Sequence, residues 1–262
     1  MYIPILSKGD IYNKLSYFSA SQINVISGCK FKWAAKYLYN LPAKYKKSQM
    51  LDIGNFFHDE AKFASVEGKE NRFNPGAMLD RMVKAVEETK DLTRDHFANI
   101  IGLYLKTYGA LQFNNENTEI NISGKIPNIG LKCIGYIDHI KNYDNEKCII
   151  DLKIKGTVNK DTNKEYAYTF DEMIQQGLYS YMTKIPQTYL YIINIKKRNK
   201  NEKVDFIKIP KYFSEQEYRQ VFDQVRMQVA EMMSGNYPPN RKYSWCQYNM
   251  CEYWNPCHEI WG

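Results

Sequence analysis

Residues 131–155, LKCIGYIDHIKNYDNEKCIIDLKIK, carry carboxylates on strand patterns that otherwise want apolar side chains. Residues 131–140 are rich in isoleucine, 141–146 form a polar turn around Asn-Tyr-Asp-Asn, and 147–155 resume the strand, which predicts a β-hairpin. Alternate strand residues share a face, so Asp151 and Lys153 point one way while Ile150, Leu152 and Ile154 point the other. Asp138 closes the first strand in this reading, and pairing across the turn brings it towards Asp151. Two carboxylates held close repel unless one takes a proton or a cation lies between them, and a divalent metal that favours oxygen ligands is the economical resolution. Lys153, one pleat from Asp151, is then placed to steer or deprotonate a water, or to stabilise charge developing on a phosphate. Alone, Asp-x-Lys on a strand suits the solvated face of an amphipathic hairpin equally well.

The flanking segments bear on that choice. Asp52 is a helix cap for 53–66, where Ile53, Phe56, Phe57 and Phe63 supply apolar bulk and Asp59 and Glu60 face solvent. Gly54 and His58 are four apart and share a face of it; glycine weakens a helix, so its presence implies a close approach there. A histidine on such a helix is either a hydrogen-bonded core residue or a ligand. Further on, Thr169-Phe170-Asp171-Glu172 is a capping box opening a helix to about residue 184, with Gln175 and Tyr179 on one stripe. Simple packing on the sheet explains that stripe too.

Four motifs in order, Gly54-x-x-x-His58, Gly135-Tyr136-Ile137-Asp138, Ile149-Ile150-Asp151-Leu152-Lys153 and Gln175-Gln176-Gly177-Leu178-Tyr179, resemble the RecB-type branch of the PD-(D/E)XK nucleases over residues 18–257. The resemblance implies an α/β restriction-endonuclease-like core, a mixed central sheet flanked by helices, in one domain spanning 1–262. Its parts are N-terminal helices (18–66), a helical insertion (68–112), the catalytic sheet and Gln-Tyr helix (118–210), and a C-terminal helix with a cysteine-rich tail (214–262). It implies that His58, Asp138 and Asp151, with the main-chain carbonyl of Leu152, hold Mg²⁺ or Mn²⁺. Lys153 then positions the attacking water, and Gln175 and Tyr179 lie beside the metal. Glu119, on a strand over 118–123, falls where some relatives place another carboxylate. The implied activity is metal-dependent DNA hydrolysis, exonuclease rather than endonuclease, on single-stranded or duplex ends. Its setting is recombination, repair or processing, with a recombination, helicase or CRISPR-type protein partner. The rival is a nucleic-acid-binding or assembly module that keeps the scaffold without turnover.

The tail WCQYNMCEYWNPCHEIWG places Cys246, Cys251 and Cys257 with four and five residues between them. Three close cysteines suggest a soft metal centre. Relatives such as the AddAB nuclease subunit and the CRISPR-associated iron-sulfur exonucleases join one early cysteine, here Cys29, to three late ones around a [4Fe-4S] cluster. Those have two residues between the first two late cysteines where this chain has four. An iron-sulfur cluster, a zinc site using His258, and unmetallated cysteines packed among tryptophans therefore stay open. Cys133 and Cys148, on the hairpin strands, read as small buried hydrophobes.

Lys and Arg number 36 against 29 Asp and Glu, a formal charge of +7 that leans mildly towards an anionic partner. Lys30, Lys32 and Lys36 beside Trp33 and Tyr37 offer cations either to a DNA backbone or to a solvated helix face. The N-terminus lacks a basic start followed by an unbroken apolar run, and no stretch reaches membrane-spanning length, so a soluble cytoplasmic protein with reduced cysteines is expected. Residues 77–90 and 91–111 read as two helices, 187–196 and 203–209 as a second hairpin, and Ser214 with Glu217 as a second capping box before a long helix ended by Gly235.

Overall fold

Asp138 and Asp151 meet because β-strands pair in a fixed register, and the rest of the fold holds that register. The computed structural model describes residues 8–44, 49–86, 92–143, 146–155, 169–195, 204–242, 246 and 251–261. The chain runs α1 (Lys8–Lys14), β1 (Tyr17–Ser19), α2 (Ala20–Gly28), α3 (Lys30–Trp33) into a π-helical turn (Ala34–Leu38), then α4 (Gln49–Glu67), α5 (Lys69–Arg72), α6 (Pro75–Ala85) and α7 (Arg94–Thr107). It continues with β2 (Thr118–Lys125), β3 (Lys132–Tyr143), β4 (Glu146–Lys155), α8 (Phe170–Thr183), β5 (Gln187–Ile195), β6 (Val204–Tyr212), α9 (Glu215–Met232) and α10 (Trp254–Trp261). One mixed sheet has the order β1-β3-β4-β5-β6, with β2 also on β3; β1 with β3 and β4 with β5 are parallel and the other pairs antiparallel. This is the expected α/β architecture of a mixed sheet between helices.

Each face of the sheet has its own core, because side chains alternate. On one, Cys133, Ile137 and Ile149 pack with α2, α8 and α9 residues such as Ile23, Leu178 and Val225. On the other, Cys148, Ile150, Leu152 and Tyr191 pack with α4, α6 and α7 through Phe57, Met82 and Tyr104. The Phe57 and Tyr104 rings stack at 4.2 Å, which fixes α4, the carrier of His58, against α7. Cys133 and Cys148 are buried, as their strand positions require.

Several local signals act as expected. Thr169 with Glu172 boxes α8 and Ser214 with Glu217 boxes α9, and the structure adds Ser19 as the cap of α2. His96 closes a third box at Thr93 on α7. Other boundaries differ. Asp52, expected as the cap, lies inside α4, which starts at Gln49; there its charge favours the first turn through the helix dipole. Glu60 does not face solvent. It is 3 % exposed and takes Arg81 at 2.9 and 2.5 Å and Arg72 at 2.9 Å, tying α4 to α5 and α6. Asp138 does not close its strand, since β3 runs on to Tyr143. Residues 118–123 belong to the second strand, because the three-residue β1 precedes it. Lys30 and Lys32 pair with Glu231 at 2.5 Å and Glu252 at 3.1 Å rather than standing free. The polar loop after Lys155 and the cationic tip between β5 and β6 lie outside the described residues. No helix among the described residues is long and apolar enough to cross a membrane.

Candidate active site

The β3–β4 register pairs His139 with Ile150, so the next rung sets Asp138 opposite Asp151. There the ladder gives way: the Leu152 N–H donates to Asp138 Oδ2 at 2.7 Å instead of to a backbone carbonyl. A second irregularity lies on the neighbouring strand. Glu119 stands opposite Asp138 between the pairs Thr118–His139 and Ile120–Ile137, with φ of 50°, in the left-handed region that a non-glycine residue rarely adopts. Both strands change face at this rung. Ile120 and Ile137 pack into the α8 core, whereas His139 touches Tyr108 and Phe113 on the α7 side and Thr118 Oγ1 at 3.2 Å.

His58, from α4, arrives at the same rung. Its Nδ1 lies 2.9 Å from Glu119 Oε1 and 3.7 Å from Asp138 Oδ1, and one ligand atom from each of the three lies within 4.8 Å of the others. Asp151 is adjacent but differently held. Lys153 Nζ donates to its Oδ1 at 3.1 Å and lies 2.8 Å from its Oδ2, Gln175 Nε2 donates to Oδ1 at 2.8 Å, and Lys153 also reaches Gln175 Oε1 at 3.2 Å. Despite that nearby ammonium, Oδ2 is buried without an aligned hydrogen-bond donor. Of the residues predicted from sequence, His58 and Asp138 thus converge, Asp151, Lys153 and Gln175 form a linked group beside them, and Leu152 enters through its N–H. Glu119, noted only loosely from sequence, is His58's nearest carboxylate. Its signal was an acid within an Ile-rich strand pattern, opposite a second acid.

Electrostatics follow from burial. Burial pushes the Asp151 carboxyl up to about 6, with Asp138 adding to the rise and Lys153 opposing it. Burial also raises Asp138, against the pull of His58 and Lys153. Asp138 foremost, then Glu119, lift the His58 imidazole to about 9, although burial works the other way. Burial opposes charge on Lys153 too, yet Asp151 and Asp138 outweigh it and keep the ammonium firmly protonated. The rung therefore holds more acids than its own cations settle comfortably, the condition a bound cation relieves.

Chain residues 17–258 match the model of the PD-(D/E)XK nuclease superfamily. The chain belongs to that superfamily. A candidate exonuclease from Eubacterium rectale matches this nuclease's fold with a TM-score of 0.54 at 16% identity, over 99% of this chain and 93% of that one. An alkaline exonuclease from Laribacter hongkongensis aligns at a TM-score of 0.36 and 12% identity, over 87% of this chain and 93% of that one. No curated protein gives a significant match.

Tyr179 lies four residues from Gln175 on α8 of the nuclease and is 7 % exposed. It packs on Gly135, where a Cβ would come within 2.3 Å of its Cε1. Gly135→Ala should therefore displace the ring and destabilise the fold by about 1–3 kcal/mol in urea unfolding. Adding Tyr179→Leu should recover part of that loss, and a wild-type midpoint for the single variant would refute the close packing. Gly54 is different: a Cβ there would meet nothing within 4 Å, so the close approach inferred from sequence is not made by this chain's described residues.

His139 gives a pH prediction. Burial, then Lys141, lowers its imidazole to about 4, so it is neutral in the fold and takes a proton near 6.5 only when unfolded. Its stabilising share is whole above that value and shrinks as pH falls towards 4. Asp138 and Asp151, whose carboxyls are raised, act in the opposite sense, so the comparison needs a control. Between pH 7 and 5, wild type should lose about 2 kcal/mol relative to His139→Gln in chemical denaturation. Parallel pH curves would mean His139 is not held neutral.

Proposed function

We propose that this nuclease is a divalent-metal-dependent deoxyribonuclease acting from DNA ends, built as one domain. The convergence of one imidazole and two carboxylates, His58, Glu119 and Asp138, within 4.8 Å of one another carries this reading. The donor set fits Mg²⁺ or Mn²⁺, which take oxygen ligands readily and tolerate imidazole. Asp151 beside it, buried and held by Lys153 and Gln175, supports the same reading. His58, Glu119, Asp138 and Asp151, with the Leu152 carbonyl, are the residues proposed to hold the ion. Bound there, it would polarise the scissile phosphate and lower the pKa of the attacking water. The chain's own groups do the rest. Lys153 keeps its proton and offers positive charge to the phosphate and orientation to the water, Gln175 ties Asp151 to Lys153 by a hydrogen bond to each, and Tyr179 packs on Gly135.

A second, structural metal group is proposed at the tail. Cys29, Cys246, Cys251 and Cys257 line one small cavity. Burial, then Cys29, Cys246 and Cys251, push the Cys257 thiol up to about 12, with Arg241 opposing, as close thiols do when each disfavours charge on the next. A [4Fe-4S] cluster fits this soft donor set, with zinc the alternative. It would fasten the tail where Asn240 already bonds the Gly28 carbonyl at 3.0 Å and Lys32 meets Glu252 at 3.1 Å.

The test is digestion of end-labelled single- and double-stranded DNA, linear and circular, with Mg²⁺ or Mn²⁺. Linear DNA should be consumed, circles spared, and EDTA should stop the reaction. Cut circles would make it an endonuclease; inert protein in both metals would leave the binding-module reading. Visible absorbance with iron and zinc analysis after anaerobic purification decides the tail.

A further inference from the structure

We propose that a cleft at the open edge of β3, with the tyrosine ladder running from it, binds single-stranded DNA on the sheet face opposite Asp151 and Lys153. This rests on the nuclease reading and adds a substrate-holding surface to it. β2 stops at Thr118 while β3 continues to Tyr143, so among the described residues the last part of β3 has no neighbour on that side beyond one bond, from the Ile140 N–H to the Asn117 carbonyl. The loop after α7 stands off from this edge and leaves a cleft of about 520 Å³, lined among others by Gln112, Asn114, Lys141, Asn142 and Lys147.

Lys141 joins the cleft to the ladder. Its Nζ lies 4.8 Å from the Tyr143 ring, which is 41 % exposed. Tyr143 is 6.1 Å from Tyr189, and Tyr189 is 6.5 Å from Tyr191. Lys208 Nζ reaches the Tyr143 and Tyr189 rings at 4.6 and 4.3 Å. The strand register puts all of these on the α7 side, with Lys141 opposite Cys148 and Lys208 opposite Tyr191.

Positive charge collects on this surface, although lysines without a carboxylate partner, such as Lys36 and Lys184, occur elsewhere among the described residues too. Lys30, Lys32, Lys153, Lys155 and Lys211 each pair with a carboxylate. Lys141, Lys147 and Lys208 have no carboxylate within 4.0 Å among the described residues, although Glu116 also lines the cleft. Ammonium groups without a carboxylate partner among the described residues, set beside the exposed Tyr143 ring and the amides of the cleft, suit a strand whose phosphates and bases are both exposed, which duplex DNA does not offer. Cross-strand cation–π pairs also stabilise a sheet, but that role needs neither a cleft nor uncompensated charge.

The test is fluorescence anisotropy in EDTA, with oligothymidylates of about 30 and about 6 nucleotides. Tyr143→Ala should weaken binding of the long strand about tenfold. The triple variant Lys141→Gln, Lys147→Gln, Lys208→Gln should reduce the salt slope by about 2, three phosphate contacts at roughly 0.7 each. Both should bind and, in Mn²⁺, cut the short strand as wild type does. Wild-type affinity and salt slope in both variants would overturn the proposal, as would a duplex competing as well as the single strand. If those variants bind normally while wild type cleaves, only this surface is lost; if wild type neither binds nor cleaves DNA, the nuclease reading falls with it.

Discussion

Lys153→Ala and Asp151→Asn should each lower DNA cleavage by about 10³-fold or more while the protein stays folded. The reason lies in how the pair is held. Lys153 is the ammonium nearest a carboxylate that is 2 % exposed and already raised to about 6. Without it, the cation opposing burial is gone, so Asp151 climbs further and carries a proton at neutral pH. A neutral acid still accepts from Gln175 Nε2 at 2.8 Å, so the fold loses little, but it is a poor ligand for a hard cation. Two readouts separate this from simple misfolding. In Lys153→Ala, metal affinity measured by calorimetry should rise with pH across the new Asp151 titration, whereas in Asp151→Asn it should be weak at every pH. Lys153→Arg should keep Asp151 ionised and restore metal binding without restoring full cleavage, because a guanidinium cannot serve as a compact ammonium at that place. Wild-type cleavage by Lys153→Ala and Asp151→Asn in both metals would remove them from the chemistry.

The hairpin, the helix carrying Gln175 and two of the three capping boxes were legible because each rests on a local rule: alternation by two, spacing by four, or a hydroxyl three residues before an acid. β1 was not, since three residues set no period. Glu60 was misread for a related reason. Its charge predicts solvent, and only the distant Arg72 and Arg81 make burial tolerable. At the site, the strand pattern brought out Asp138, Asp151 and Lys153 and the family resemblance added His58, but neither gave the rung at which Glu119 joins them. Nothing in the residue type announces a left-handed glutamate, because that conformation is imposed by the two strands changing face together.

Glu119→Gly is accordingly the variant in which stability and function should part. At φ of 50° glutamate is held where its Cβ crowds the backbone, a strain of about 1–2 kcal/mol that glycine avoids. Glycine also loosens the unfolded chain, which returns part of that gain, so the variant should match wild type or exceed it by up to about 1 kcal/mol. Its metal affinity should move the other way, falling about 10- to 100-fold, because His58 loses the partner 2.9 Å from its Nδ1 and the rung loses a negative charge. Glu119→Gln supplies the control. It keeps the side chain and the strained backbone but not the charge, so it should lose metal affinity without becoming more stable. Together the two variants separate strain from charge: the same affinity loss in both assigns it to the carboxylate, and a stability gain confined to glycine assigns the strain to the backbone. Strain persists at a position only where surrounding structure enforces it, and here the enforcing structure is the pairing of β2 with β3 on either side of this rung. If Glu119→Gly binds Mn²⁺ and cuts DNA as wild type does, the left-handed turn is incidental, and the ion is held by His58, Asp138 and Asp151 without it.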